Sequence, residues 1–222
     1  LITYAELDYV IDGNQLIPND PRFPEMWGLN NTGQTGGVAD ADIDAPEAWE
    51  IFTGTRDTVV AVIDSGADYN PEDLAGNMWV NPGEIPDGHD NDNNGYVDDI
   101  YGIDTYNGDS DPLDDHGHGT HVSGTIGVTS DNSIGVTGIN WDVQIMAVKF
   151  LDHQGSGTTS DAIAAVQYAV DNGAHISNNS WGGDPYSQAL YDVISDARDQ
   201  NHIFVAAAGN GNWIGLGVDN DA

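Results

Sequence analysis

VVAVIDSG, residues 59–66, decides how this chain is read. Val59, Val60, Ala61, Val62 and Ile63 follow one another without a polar break. Such a run leaves no face for water and reads as a buried strand of a parallel sheet, residues 59–64, ending on Asp64. Runs of the same kind recur at 143–150 (VQIMAVKF), 175–181 (HISNNSW) and 203–208 (IFVAAA), and each is too apolar to have one wet face. Amphipathic stretches lie between them. Residues 160–172 form a helix with Ser160 as N-cap and Gly173 closing the end. Residues 187–200 form another, with Leu190, Val193, Ile194 and Ala197 on one face. Strands alternating with crossover helices predict an α/β fold with a mostly parallel central sheet.

Outward from this frame the pattern changes. Between Asp64 and His118 a long segment rich in Asp, Asn, Gly and Pro shows neither the strand nor the helix period. It is expected to be loop held by something other than a core. Residues 1–18 read as a strand-like piece, ITYAELDYVI, and a connector rich in Pro and Asn, with a boundary in 13–19 ahead of the main domain, 19–222. The start lacks the basic flank of a signal peptide and reads as mid-protein sequence.

Composition narrows the function classes. The 222 residues carry 37 acidic and 4 basic side chains, a formal net charge of −33, which opposes nucleic acid and anionic membrane and favours dissolved cations. No stretch approaches the roughly 20 apolar residues of a membrane span, so a soluble chain is expected. There is no cysteine, which excludes disulfides and thiolate metal sites and leaves oxygen-ligated ions as external stabilisers. The 28 glycines and 39% apolar content fit one sizeable domain with many tight turns.

Polar residues at the carboxyl ends of parallel strands line the crevice where an α/β protein binds ligands. Asp64 stands at one such end, where an aspartate can also simply cap a turn. DDHGHGTHVSGTIGV follows, with His116, His118 and His121 among glycines. Three readings are open for them: a zinc site, which lacks the HExxH arrangement; a polar, glycine-rich start of a helix; or an imidazole held by Asp64 as a general base. The third gains from AAAGN, where Asn210 follows another strand end and could donate to an oxyanion.

Elsewhere, DNDNNGYVDD (90–99) has the first half of an EF-hand spacing: Asp90, Asp92 and Asn94 as oxygen donors, Gly95 for the turn and the Tyr96 carbonyl. Its twelfth position is Tyr101, with no bidentate glutamate, so Asp99, or else Asp98, would close the shell. Calcium is favoured over a merely solvated acidic loop, because a long loop without a core needs an organiser.

VVAVIDSG around Asp64, HGTHVSG from His118 and AAAGN ending at Asn210 resemble, in order and spacing, the aspartate, histidine and oxyanion-hole signatures of the subtilisin family of serine proteases. The resemblance covers about residues 20–222 and implies a three-layer subtilisin-like fold. It implies His118 as the base beside Asp64, with His121 a structural neighbour and His116 outside the motif. It implies that Gly155, Ser156 and Gly157 form one edge that pairs with bound peptide, although a flexible turn before a helix remains open for them. Ser180, Trp181 and Gly182 would form the other edge and the rim of the specificity pocket. It implies a second calcium site from Asp73, the Asn132 side chain and the carbonyls of Ile134 and Val136. YAELDYV resembles the closing strand of the family's inhibitory propeptide, with an ordinary N-terminal strand as the alternative reading.

The family's serine lies in a GTSMAxP-like motif beyond the oxyanion asparagine, and only 12 residues follow Asn210 here. GTTSDA (157–162) lies on the wrong side of Asn210 and is rejected as the nucleophile's motif. The expectation is therefore a secreted serine endopeptidase present as a fragment that lacks its nucleophile and its C-terminal part, inactive as it stands, with calcium as cofactor. Its expected partners are protein or peptide substrates and its own propeptide, with neither nucleic acid nor membrane, and its acidity suits a saline setting. The rival reading is a non-catalytic calcium-binding module on the same fold.

Overall fold

The computed structural model describes residues 15–183 and 185–210. Among these residues five strands form one sheet: β1 (Gly54–Asp64), β2 (Gly102–Asp104), β3 (Asp142–Lys149), β4 (Ile176–Asn179) and β5 (Ile203–Ala206). The order is β2-β3-β1-β4-β5, and every pairing is parallel. Five helices accompany them: α1 (Ala45–Trp49), α2 (Glu72–Ala75), α3 (His118–Gly127), α4 (Thr159–Asp171) and α5 (Gln188–Asp199). From β1 the chain passes to β2 at one edge, returns to β3 beside β1, and then crosses to β4 and β5 on the other side. The carboxyl end of β1 is thus the point where winding reverses, and such points open a crevice.

Alternation along β1 builds both layers. Val59, Ala61 and Ile63 pack with Met146 and Val148 of β3 against Ala162, Ala165, Val166 and Ala169 of α4 and Val193 and Ala197 of α5. Val60 and Val62 face the other way, with Ile145 and Ala147, against Leu74, Met78, Val128 and the α3 residues Val122 and Ile126. A buried valine or isoleucine contributes about 1.5–3 kcal/mol. The strand at 59–64 is therefore the spine of the molecule, and the α/β fold with a three-layer arrangement stands. A third cluster, Phe23, Leu29, Ala45 and Trp49, holds the N-terminal segment, with the Trp49 ring tilted against that of Trp141 at 5.2 Å between centroids.

Some details differ from expectation. The N-cap of α4 is Thr158, whose hydroxyl accepts from the Asp161 amide in a reciprocal capping box; Ser160 lies inside the first turn, its hydroxyl 2.8 Å from that of Thr158. Asp161 decides this, since the box needs an acidic side chain three residues after the cap. The segment 64–118 is mostly loop but contains α2 and the edge strand β2. β5 is wetter than a buried strand: Ile203 is 57% and Val205 46% exposed, because among the described residues no element packs beyond it. Gly173 closes α4 with φ +79°, and Ser187 caps α5. Residues 1–14, and with them the whole of the strand-like piece ITYAELDYVI, lie outside the described residues.

Candidate active site

Asp64 ends β1 and is fully buried. His118 is the first residue of α3. Its Nδ1 lies 2.8 Å from Asp64 Oδ1 and 2.9 Å from Oδ2. An ionised carboxylate can only accept, so Nδ1 carries the hydrogen, and in the neutral ring Nε2 becomes the free acceptor. The His118 side chain is 45% exposed, so the ring is open to solvent while the carboxylate that orients it stays dry.

Two glycines make this approach feasible. A Cβ at Gly119 would lie 2.1 Å from the Gly66 carbonyl oxygen and 3.1 Å from the Asp64 Cβ. Gly66, at φ +106°, is backed by the Pro112 carbonyl. Ser65 fastens the junction: its amide donates to Asp64 Oδ1, and its hydroxyl donates to Asp114 while accepting from the Gly119 amide. Asp114, just ahead of the helix, accepts from the amides of His116, Gly117 and Thr120 and from the Thr120 hydroxyl. Burial works to raise this carboxyl, but those hydrogen bonds together outweigh it and hold its pKa below the ordinary range. Among the three histidines, only His118 meets Asp64; the His116 ring stands 6.3 Å from that of His118 and faces Gly155.

Residues of both expected peptide edges line one cleft, Ser180 excepted. Gly155, Ser156 and Gly157 line one side of a cleft of about 390 Å³, and Trp181 and Gly182 line the other. The first edge is a turn closed on Asp152, which receives the Ser156 amide on its side chain and gives its own amide to the Ser156 carbonyl. Trp181 is propped edge-on by Phe150 and Phe204, and the Ser180 hydroxyl accepts from Asn178. Asn210 is exposed in the segment that leaves β5, whose Ala207 amide pairs back onto Asn179.

The acidic loop folds around more than its own residues. Carboxylate oxygens of Glu84, Asp92 and Asp99 lie within 4.8 Å of one another, the set of three among the described residues with metal-site spacing. Asn81 donates to Asp92 and Asp99, and Asn94 to the same two. Asp90 instead receives the amides of Asn94 and Gly95, and Asp98 those of Asp87 and Gly88. The Tyr96 amide donates to Asn94, and the Tyr96 ring lies edge-on to Tyr168, whose hydroxyl donates to Asp99. Burial pushes the Asp99 carboxyl up, with hydrogen bonds from Tyr168 and Asn94 opposing. A buried carboxylate of that kind fits a site for a hard cation. Glu84 went unnoticed in the sequence because it lies outside the EF-hand-like spacing.

In the second expected cluster, Asp73 meets the loop 132–136 through hydrogen bonds. Asp73 accepts from the Asn132 side chain and the Val136 amide, and Asn132 Oδ1 accepts from the Ile134 amide. The buried Asp20 joins the same loop through the amides of Asp131 and Asn132 and the Thr137 hydroxyl. No helix among the described residues is long and apolar enough to cross a membrane.

Comparison with known proteins gives this geometry a lineage. Subtilisin-like protease 1 of Plasmodium berghei is 39% identical over 196 residues, 86% of this chain and 31% of that protein. The cell wall-associated protease of Bacillus subtilis is 36% identical over 196 residues, 87% of this chain and 20% of that protein. Thermitase of Thermoactinomyces vulgaris is 32% identical over 193 residues, 87% of this chain and 58% of that protein. The chain thus spans less than a third of the length of the first two. The model of the subtilase family matches residues 55–221. Because that span carries the sheet together with Asp64, His118 and Asn210, the chain belongs to the subtilase family.

Proposed function

We propose that this chain supplies the acid–base half, the oxyanion donor and the peptide-binding edges of a serine endopeptidase that acts outside the cell. The observation that carries this reading is the exposed His118 ring with its Nδ1 hydrogen on fully buried Asp64. A nucleophilic serine in the full-length protein completes the site. Its Oγ forms a bond to the scissile carbonyl carbon while its proton passes to His118 Nε2. Asp64 holds the resulting imidazolium, and the Asn210 side-chain amide donates to the oxyanion. The C–N bond then breaks as His118 returns the proton to the leaving amine, and water repeats the sequence to free the acyl group.

Protein chains are the substrates. Gly155, Ser156 and Gly157 pair with their backbone on one side and Ser180, Trp181 and Gly182 on the other, so affinity depends little on side chains. An inhibitory propeptide of the family's kind is a further partner, on the resemblance of YAELDYV to such a segment. The cell wall-associated relative supports the extracellular setting.

Calcium is proposed at two places. One is Glu84, Asp92 and Asp99 with Asp90, Asn94 and the Tyr96 carbonyl; the other is Asp73, Asn132 and the carbonyls of Ile134 and Val136, with Asp20 added. The ion supplies positive charge that offsets carboxylate repulsion and orders each loop.

The deciding experiment labels the full-length protein with a fluorophosphonate and measures hydrolysis of an unstructured protein. Wild type is expected to label and cleave, and His118→Ala to do neither. An unlabelled, inactive wild type, or a fully active His118→Ala, refutes the reading.

A further inference from the structure

Lys149 is the only lysine of the chain and one of its 4 basic residues; Arg22, Arg56 and Arg198 are all exposed, whereas Lys149 is 2% exposed. A buried ammonium persists only when paired and fully hydrogen-bonded. This one ends β3, in register with Asp64 of β1 on one side and Asp104 of β2 on the other, both almost wholly buried. Its three N–H groups find three acceptors: the Ser65 carbonyl at 2.9 Å, Asp115 Oδ1 at 2.7 Å and the Leu151 carbonyl at 2.6 Å.

Each acceptor belongs to a different segment. Ser65 follows Asp64 and donates to its carboxylate. Asp115 stands three residues before His118 in the segment that delivers the ring. Leu151 opens the turn through Asp152 to Gly155 and Ser156. The strand end and the two loops therefore meet on one charge.

We propose that Lys149 is a positioning residue for the Asp64–His118 pair, its ammonium tying the end of β1, the segment leading into α3 and the turn before Gly155 into one geometry. This rests on the protease reading above, and it adds a residue that touches neither substrate nor the reacting atoms. Loss of the ammonium leaves two carbonyls and a carboxylate without their donor beside two buried acids. The strands keep their apolar packing, but the loops lose their common anchor, and a displacement of about 1 Å in a catalytic group can cost on the order of 100-fold in rate.

The test compares Lys149→Met, Asp115→Ala and Asp115→Asn in the full-length protein. For each, kcat and KM are measured below the melting range, together with the downfield NMR signal of the His118 Nδ1 proton. Lys149→Met is expected to lower kcat by roughly 10- to 100-fold, more than it raises KM, and to shift or broaden that signal. Asp115→Ala, at a side chain 52% exposed, is expected to do the same more weakly, and Asp115→Asn to recover part of the loss because its amide oxygen still accepts. A folded Lys149→Met with kcat within about twofold of wild type and an unchanged proton signal overturns the proposal. If Lys149→Met does not fold, the Asp115 pair decides, and wild-type behaviour in Asp115→Ala overturns it. Should wild type itself cleave nothing, the protease reading fails, while the proton signals still report whether Lys149 orients the ring.

Discussion

A carboxylate with no hydrogen to give leaves a neighbouring imidazole one choice of tautomer, and this governs the chemistry at His118. Asp64 accepts from Nδ1 with both oxygens in reach, so the proton-accepting nitrogen is Nε2. Asp64→Asn keeps the shape but can present an N–H to the same ring nitrogen, which would leave Nε2 protonated. We expect kcat of the full-length protein to fall by about four orders of magnitude, with little change in KM. His121→Ala, on the exposed side of α3, should stay within about twofold of wild type. Equal losses from the two substitutions in steady-state assays would contradict the assignment. Asp64 and His118 were legible in the sequence because each sits inside a compact local signature. Lys149 and Glu84 were not. A lysine at a strand end is exposed by default, and only the loops folded over Lys149 reveal it as an internal anchor. Glu84 acquires its meaning when a loop brings it to Asp92 and Asp99 from across several residues of turn.

Helix α3 shows how a short element is fixed from outside itself. Its N-cap, Gly117, has no side chain to offer, and Asp114 takes over by collecting the first amides. Because the folded pKa of Asp114 lies below its unfolded value, its contribution is present above the unfolded carboxylate range and is lost as pH falls through the folded value. Asp114→Asn should therefore destabilise by about 1–2 kcal/mol near neutrality, and the gap to wild type should close in acid. Denaturant melts across pH test this, and a gap that widens in acid would refute it. The long elements were readable because their period has room to repeat: five apolar residues mark β1, and a full apolar face marks α5. The short ones were not. α1 and α2 are too brief to show a period, and β2 has three residues at the sheet edge. The capping shift on α4 turns on Asp161, since by residue type alone Ser160 is the better cap.

At the scale of the whole molecule, a formal charge of −33 is spread over a fold whose longest loops converge acids upon one another. Asp99, its pKa raised mainly by burial, ionises less readily than in the unfolded chain, so at neutral pH it opposes folding unless a cation stands near. Removing calcium from the full-length protein should lower the melting midpoint by roughly 5 °C or more, and Asp92→Ala should lose most of that calcium dependence. Sodium chloride at matched ionic strength should restore only part, since screening cannot replace coordination. Melts that are the same with chelator and with calcium would leave the loop a solvated acidic surface. The single lysine has a further consequence, of a practical kind. Amine-directed reagents such as activated esters and aldehydes find no accessible side-chain amine on the folded chain, since Lys149 is sealed under the three segments it joins. Acylation of that one site becomes a clock for the opening of the cleft, and coupling chemistries that rely on surface lysines would pass this part of the molecule by.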